Sequence, residues 1–298
     1  MIATLDTSPK NRTIVRPKRW LAPRPIRAAF TALEHLAPAL GARWAVRLWC
    51  TVPRGAARWQ DNRPRSGAVS TVDLSGGRSV VVESWGTGPP VYLVHGWGGW
   101  RGQLGAFVDP LLTRGYRVVA FDAPSHGESA PGSFGPRRGA LTEFADALRS
   151  VVDHHGPPAG VIAHSLGCAA TAVAVSDGLR VPRLGFVAPS VQPLSATGEM
   201  AAAFGFSHRI RSAMIQRLEA LVGRPISDFD LLALADRSHL PPTLVVHDRD
   251  DSEVAHDEAD RLVATWPQAD LVSTSSLGHH RILRAAEVVG LLTLFVAP

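Results

Sequence analysis

Ser165 stands in the stretch Ala163-His164-Ser165-Leu166-Gly167, between the apolar run Gly160–His164 and an alanine-rich segment that begins at Leu166. A serine can attack carbon when it projects from a tight strand-to-helix turn, and that turn needs small residues two positions to either side. Ala163 and Gly167 meet that condition. The helix that follows such a turn also presents unbonded backbone N–H groups to developing negative charge. The same five residues suit a serine at an ordinary helix N-cap. The pentapeptide therefore has to be read with its partners.

A hydroxyl nucleophile needs a base and a set of donors for the oxyanion. His95-Gly96-Trp97-Gly98-Gly99 closes an apolar run, and its glycines let backbone N–H groups approach a substrate. The stretch lacks both the Gly-Lys-Ser/Thr of a phosphate loop and the glycine spacing of a dinucleotide site. His247-Asp248-Arg249-Asp250-Asp251 ends a later apolar run with three acids. One such carboxylate could orient a histidine and stabilise its charged form. Gly278-His279-His280 follows the last apolar run in what reads as a loop. The order Ser, Asp, His along the chain is the order used by a strand-end triad on a parallel sheet.

Those residues require a scaffold, and the hydropathy pattern supplies one. Short apolar runs at Val91–His95, Arg117–Asp122, Gly160–His164, Arg183–Val187, Thr243–His247 and Asp270–Ser273 alternate with helical stretches near Gly102–Thr113, Leu141–His154, Leu166–Asp177, Asp257–Trp266 and Ala285–Val296. Such runs fit strands buried on both faces of a mostly parallel sheet flanked by helices, an α/β fold. Val72–Leu74 and Ser79–Trp85, around Ser75-Gly76-Gly77, predict a hairpin ahead of it. Residues 191–240 interrupt the alternation with helical segments at Met200–Phe204, Arg209–Val222 and Asp228–Asp236. They are too long for a simple connection and predict a small cap inserted after the sixth strand. Met200, Phe204, Phe206, Met214 and Leu218 would make that cap apolar, lining a substrate site or forming the cap's own core.

Residues 1–24 read as a basic, flexible tail and residues 25–70 as a helical extension with a linker. Phe30, Leu33, Ala37, Leu40, Trp44 and Leu48 recur at helical spacing there, with a break expected at Pro38 and Gly41. The α/β domain would then span residues 71–298. The chain of 298 residues, 45% hydrophobic and 19% charged, can bury a full core. Residues 1–66 hold 13 of the 31 Lys and Arg but only 3 of the 26 acids, so the net charge of +5 belongs to the N-terminal segment. That segment could pack on an acidic body or make weak peripheral contact with an anionic membrane. No nucleic-acid motif accompanies it. No run of about 18 apolar residues predicts a membrane span, and no secretory leader is evident. Cys50 and Cys168 suit free buried thiols in a reducing, cytoplasmic setting.

Five stretches in order resemble the α/β-hydrolase superfamily, in its bacterial esterase, lipase and haloperoxidase-like branch. They are His95–Gly99, Asp122-Ala123-Pro124-Ser125-His126-Gly127-Glu128-Ser129, Ala163–Gly167, His247–Asp251 and Gly278-His279, within residues 72–298. The resemblance implies a Ser165 nucleophile, a His279 base, an Asp251 acid, and an oxyanion hole from the backbone N–H groups of Trp97 and Leu166. It implies no cofactor and no metal. Ala163 replaces the commonest glycine, Asp248 replaces another, and His280 adjoins His279, so Asp248 or Asp250 remains an alternative acid and His280 an alternative base. The expected reaction is cleavage of a carboxylic ester of a small, apolar substrate through an acyl-enzyme. Thioesterase, lactonase, perhydrolase or acyltransferase chemistry would use the same residues, and a non-catalytic ligand receptor on the same scaffold is the alternative of another class.

Overall fold

The computed structural model describes residues 21–53, 61–237 and 240–298. The expected basic tail lies outside them up to residue 20, as does the linker stretch 54–60. Two helices open the described chain, α1 (Arg24–Leu36) and α2 (Pro38–Trp49). The hairpin β1 (Ala68–Leu74) and β2 (Arg78–Trp85) follows. Next come β3 (Pro90–Val94), α3 (Val108–Thr113), β4 (Arg117–Phe121), α4 (Leu141–His155), β5 (Gly160–His164), α5 (Leu166–Ser176) and β6 (Leu184–Val187). Then α6 (Pro193–Phe204), α7 (His208–Val222) and α8 (Leu231–Arg237) form the cap. β7 (Thr243–Asp248), α9 (His256–Thr265), β8 (Ala269–Thr274), α10 (Gly278–Arg281) and α11 (Ala286–Val296) complete the chain.

Among the described residues the eight strands form one sheet in the order β1-β2-β4-β3-β5-β6-β7-β8. β1 pairs antiparallel with β2, and β2 with β4. From β4 to β8 every pairing is parallel. β3, β5, β6 and β7 are buried at every position, which is why they read as continuous apolar runs without alternation. One face is covered by Phe144 and Leu148 of α4, Val173 of α5 and Leu262 of α9, packed on Tyr92, Phe121 and Phe186. The other is covered by Leu111 of α3 and Leu292 and Val296 of α11, packed on Leu93, Ile162 and Val246. Parallel strands covered on both faces bring all their C-terminal ends to one rim, where ligands bind in open α/β sheets.

A third apolar cluster joins the N-terminal helices to the cap: Phe30, Ala45, Val46 and Cys50 against Ala201, Phe206, Ile210, Met214 and Leu218. Phe30 stacks on Trp44 with ring centroids 4.4 Å apart. The helical stripe of the extension therefore faces the cap, with Leu40 left at the surface.

The break expected at Pro38 is present, and four other placements differ from the sequence expectations. The break between the first two helices is at Ala37, where Pro38 starts α2. Gly41 stays inside α2, because Ile210 of α7 occupies the space a side chain would need. Residues 101–113 form a 3₁₀ segment, Arg101–Phe107, before α3 rather than one α-helix. β1 begins at Ala68, since its whole length is paired with β2 although only Val72 is buried. His279 lies on the helical turn α10 and not in an open loop.

Candidate active site

The rim carries the serine first. Ser165 joins β5 to α5 with φ +52° and ψ −121°, a conformation a side chain rarely adopts and one that strains the backbone. The surroundings impose it. Ser165 N–H donates to the Val187 carbonyl at 3.0 Å, and its own carbonyl accepts from Cys168 N–H at 3.0 Å. Gly167 lets α5 press onto the end of β3: a Cβ there would lie 2.5 Å from the His95 carbonyl oxygen.

The loop His95–Gly99 abuts the serine, since a Cβ on Gly96 would lie 2.9 Å from Ser165 Cβ. Its shape is fixed from both sides. His95 Nδ1–H donates to Gly96 O at 2.7 Å, and Nε2 accepts from Ala123 N–H at 3.0 Å, which settles the tautomer. Burial pulls the His95 pKa down to about 4, so the ring is neutral at pH 7. On the outer side the Trp97 indole N–H donates to Thr51 O at 3.3 Å, and Pro53 packs against Gly98. The N-terminal extension thus touches the loop at two points.

The candidate acid and base meet at the same rim. Asp251 Oδ2 lies 2.7 Å from His279 Nδ1 and 3.2 Å from His247 Nε2, while Oδ1 accepts the N–H groups of Glu253 and Val254. Burial opposes charge on Asp251. The hydrogen bonds from His247 and His279 outweigh it and hold the carboxyl well below the usual range. His247 Nε2 must carry a proton, because its second partner at 3.2 Å is the Val254 carbonyl, which can only accept. His164, the residue before the serine, donates from Nε2 to the His279 carbonyl at 3.0 Å, with the two rings 4.6 Å apart. The Ser165 hydroxyl makes no hydrogen bond among the described residues. Such contacts are often long until a substrate closes them.

The alternatives weighed from sequence are placed elsewhere. Asp248 is buried and accepts from Asp250 N–H, Thr274 Oγ1 and Leu277 N–H, tying β7 to the segment that leads to His279. Asp250 is exposed and accepts from Ser276 N–H. His280 pairs with Glu253 at 2.9 Å, and that hydrogen bond raises its pKa. Asp251 N–H donates to the Asp248 carbonyl at 3.2 Å, but among the described residues no side chain of the three is hydrogen-bonded to the side chain of Asp251 or His279.

Sequence reasoning passed over three histidines that hold the site. His95 follows β3, His164 ends β5 and His247 lies near the end of β7. The signal was present: three apolar runs each lead into a histidine, Leu93-Val94-His95, Ile162-Ala163-His164 and Val245-Val246-His247. It also passed over Arg101, buried among Glu83, Asp122 and Glu128, which anchors the loop Asp122–Ser129 under His95.

A cavity of about 310 Å³ opens beside Trp97 and Leu166, between α2, the segment before α4, and the cap. Of the five apolar cap residues considered from sequence, only Leu218 lines it. Phe206 and Met214 instead form the joint core with the extension, and Met200 and Phe204 pack against that core, because their stripe faces α1 and α2.

The alpha/beta hydrolase family model matches residues 91–291. The non-heme chloroperoxidase of Streptomyces lividans is 26% identical over 270 residues, 74% of this chain and 96% of that protein. The pimeloyl-[acyl-carrier protein] methyl ester esterase of Chromobacterium violaceum is 37% identical over 91 residues, 30% of this chain and 32% of that protein. Several curated relatives are matched over only about a fifth to a third of their length. A hydrolase from Pseudomonas aeruginosa PA01 superposes with a TM-score of 0.60 at 20% identity, over 78% of this chain and 99% of that one. Sheet order, strand-end serine turn and family match agree, and the chain belongs to the alpha/beta hydrolase family.

Proposed function

We propose that this hydrolase is a serine esterase that cleaves a carboxylic ester through an acyl-enzyme, with Ser165 as nucleophile, His279 as base and Asp251 as the acid that orients it. The observation that carries the reading is the 2.7 Å contact between Asp251 Oδ2 and His279 Nδ1, at the rim where Ser165 sits on its strained turn. With Nδ1–H held by the carboxylate, Nε2 is free to take a proton. Ser165 Oγ attacks the carbonyl carbon and passes its proton to His279 Nε2. The oxyanion rests on the N–H groups of Trp97 and Leu166. His279 returns the proton to the leaving alcohol. Water, deprotonated by the same ring, then releases the acid. One oxyanion donor of this kind is worth about 10²–10³ in turnover. The esterase among the relatives supports the bond type, and the fold alone does not choose it.

The test is labelling with a fluorophosphonate probe alongside turnover of short p-nitrophenyl esters. Both are expected in the parent protein and absent in Ser165→Ala. Labelling that persists in Ser165→Ala would remove this serine from the mechanism. A parent protein with neither labelling nor turnover would favour a ligand receptor on the hydrolase scaffold.

A further inference from the structure

The N-terminal extension lies outside the residues matched by the family, yet Trp49 and Cys50 at the end of α2 form one wall of the cavity beside the serine turn. We propose that this cavity is an acyl-chain subsite for neutral, unbranched acyl groups of about eight to twelve carbons, its depth set by Trp49 from the extension and by Leu218 and Val222 from the cap. The assignment rests on the serine-esterase reading above and names the substrate class of that same site.

Position comes first. Trp97 and Leu166, whose N–H groups are proposed to hold the carbonyl oxygen, also line the cavity. A group attached to that carbonyl carbon therefore has the cavity next to it. Size follows. An engineered apolar cavity of about 150 Å³ holds one benzene, so 310 Å³ accommodates about a dozen carbon-sized atoms.

The chemistry of the wall then narrows the ligand. Trp49, Leu141, Leu218, Val222, Ile226 and Phe229 offer hydrocarbon. The two charged side chains in the wall are already committed. Glu219 accepts from Ile226 N–H at 2.9 Å. Arg224 pairs with Asp177 at 2.6 Å and Asp228 at 3.3 Å. Burial pushes the Cys50 thiol up to about 11, so it is uncharged at neutral pH. A chain ending in a carboxylate would be buried there without a partner. The two sides of the wall are packed together, because α2 and α7 share the cluster of Val46, Ile210 and Met214.

The experiment measures kcat/KM of the full chain for p-nitrophenyl esters of straight-chain acids from two to fourteen carbons. Each preparation is normalised to fluorophosphonate-labelled Ser165. Each buried methylene adds about fourfold, the factor that ~0.8 kcal/mol gives. The parent should therefore peak between eight and twelve carbons, with a ten-to-two-carbon ratio of at least a hundredfold. Leu218→Trp should cut that ratio at least tenfold and move the peak to four carbons or fewer. Val222→Phe repeats the test if the first variant folds poorly. Trp49→Ala should move the peak to longer chains. An ester of decanoic acid carrying a terminal carboxylate should run at least tenfold slower than the decanoate. A parent peak at two to four carbons, a profile unmoved by the variants, or equal rates for the two ten-carbon esters overturns the subsite while Ser165 labelling stands. Absence of labelling in the parent overturns both this subsite and the esterase reading.

Discussion

The two sides of the candidate site are built by different forces. The sheet side, with Ser165, Gly96, Asp251 and His279, is set by short hydrogen bonds between buried polar groups and by glycines pressed against backbone. The opposite side, where the extension meets the cap, is held by apolar contacts such as Phe30 on Trp44 and Val46 near Met214. Hydrogen bonds fix direction to a fraction of an ångström, which proton transfer requires. Apolar packing tolerates exchange of side chains of similar volume, which allows a pocket to change shape without loss of the fold. On the reading proposed above, chemistry and selectivity lie in separable parts of one cleft.

That division can be broken experimentally, beginning where the effect is largest. Asp251→Asn should lower kcat by about 10⁴, because the tautomer of His279 is no longer held. Asp250→Asn, at the surface, should change it less than about threefold, well inside the spread of ordinary surface substitutions. Ester turnover of the two variants, with fluorophosphonate labelling, reads the contrast; the reverse order would move the acid to Asp250. His95→Ala removes the ring's bond to Gly96 O within the loop and its bond to Ala123 N–H outside it, and should cost about 10²–10³ in kcat, the worth of one misplaced oxyanion donor. A loss confined to KM would show that the loop holds its shape without the ring.

On the apolar side, Met214→Ala should lower unfolding free energy by about 2–5 kcal/mol in urea titration. Kinetics per labelled Ser165 should stay closer to the parent than in Asp251→Asn or His95→Ala. A collapse of turnover per site comparable to that of His95→Ala would deny the separation.

The mildest effect concerns acid. Burial lowers the pKa of His95 to about 4 and that of His126 to about 3, with His95 nearby adding to the shift at His126. Both rings bind protons less readily folded than unfolded. Their contribution to stability is therefore complete above about pH 6.5 and is lost as pH falls from there toward 4 and 3. His126→Phe should make the acid limb of a melting-temperature profile shallower between pH 6 and 4. An unchanged limb would place the acid sensitivity elsewhere.

The sheet and the serine turn were legible because their signals are local. A strand buried on both faces is a continuous apolar run wherever it occurs, and the residues on either side of Ser165 must be small for a reason that acts within five positions. Asp251 was harder to separate from Asp248 and Asp250. All three stand within four residues at the end of β7, and only tertiary placement shows that Asp248 faces Thr274 and Leu277 while Asp251 faces His279. The direction of an amphipathic helix was less legible still. Periodicity gives Met214 and Phe206 a common buried side, but it does not say whether a ligand or another helix lies opposite. Nor does anything near Trp49 in sequence announce Leu218, which lies far along the chain and shares a cavity wall with it.

The joint cluster of α1 and α2 with the cap has a consequence for the order in which the protein is made. Phe30 and Trp44 leave the ribosome long before Phe206, Ile210 and Met214 exist to cover them. The apolar stripe of the extension must then wait, open to water or to a chaperone, until the cap is translated. Pairings of such high sequence separation carry loop-closure entropy and form slowly. In refolding, return of sheet signal in circular dichroism should precede return of any p-nitrophenyl ester turnover, since the cleft gains its second wall last.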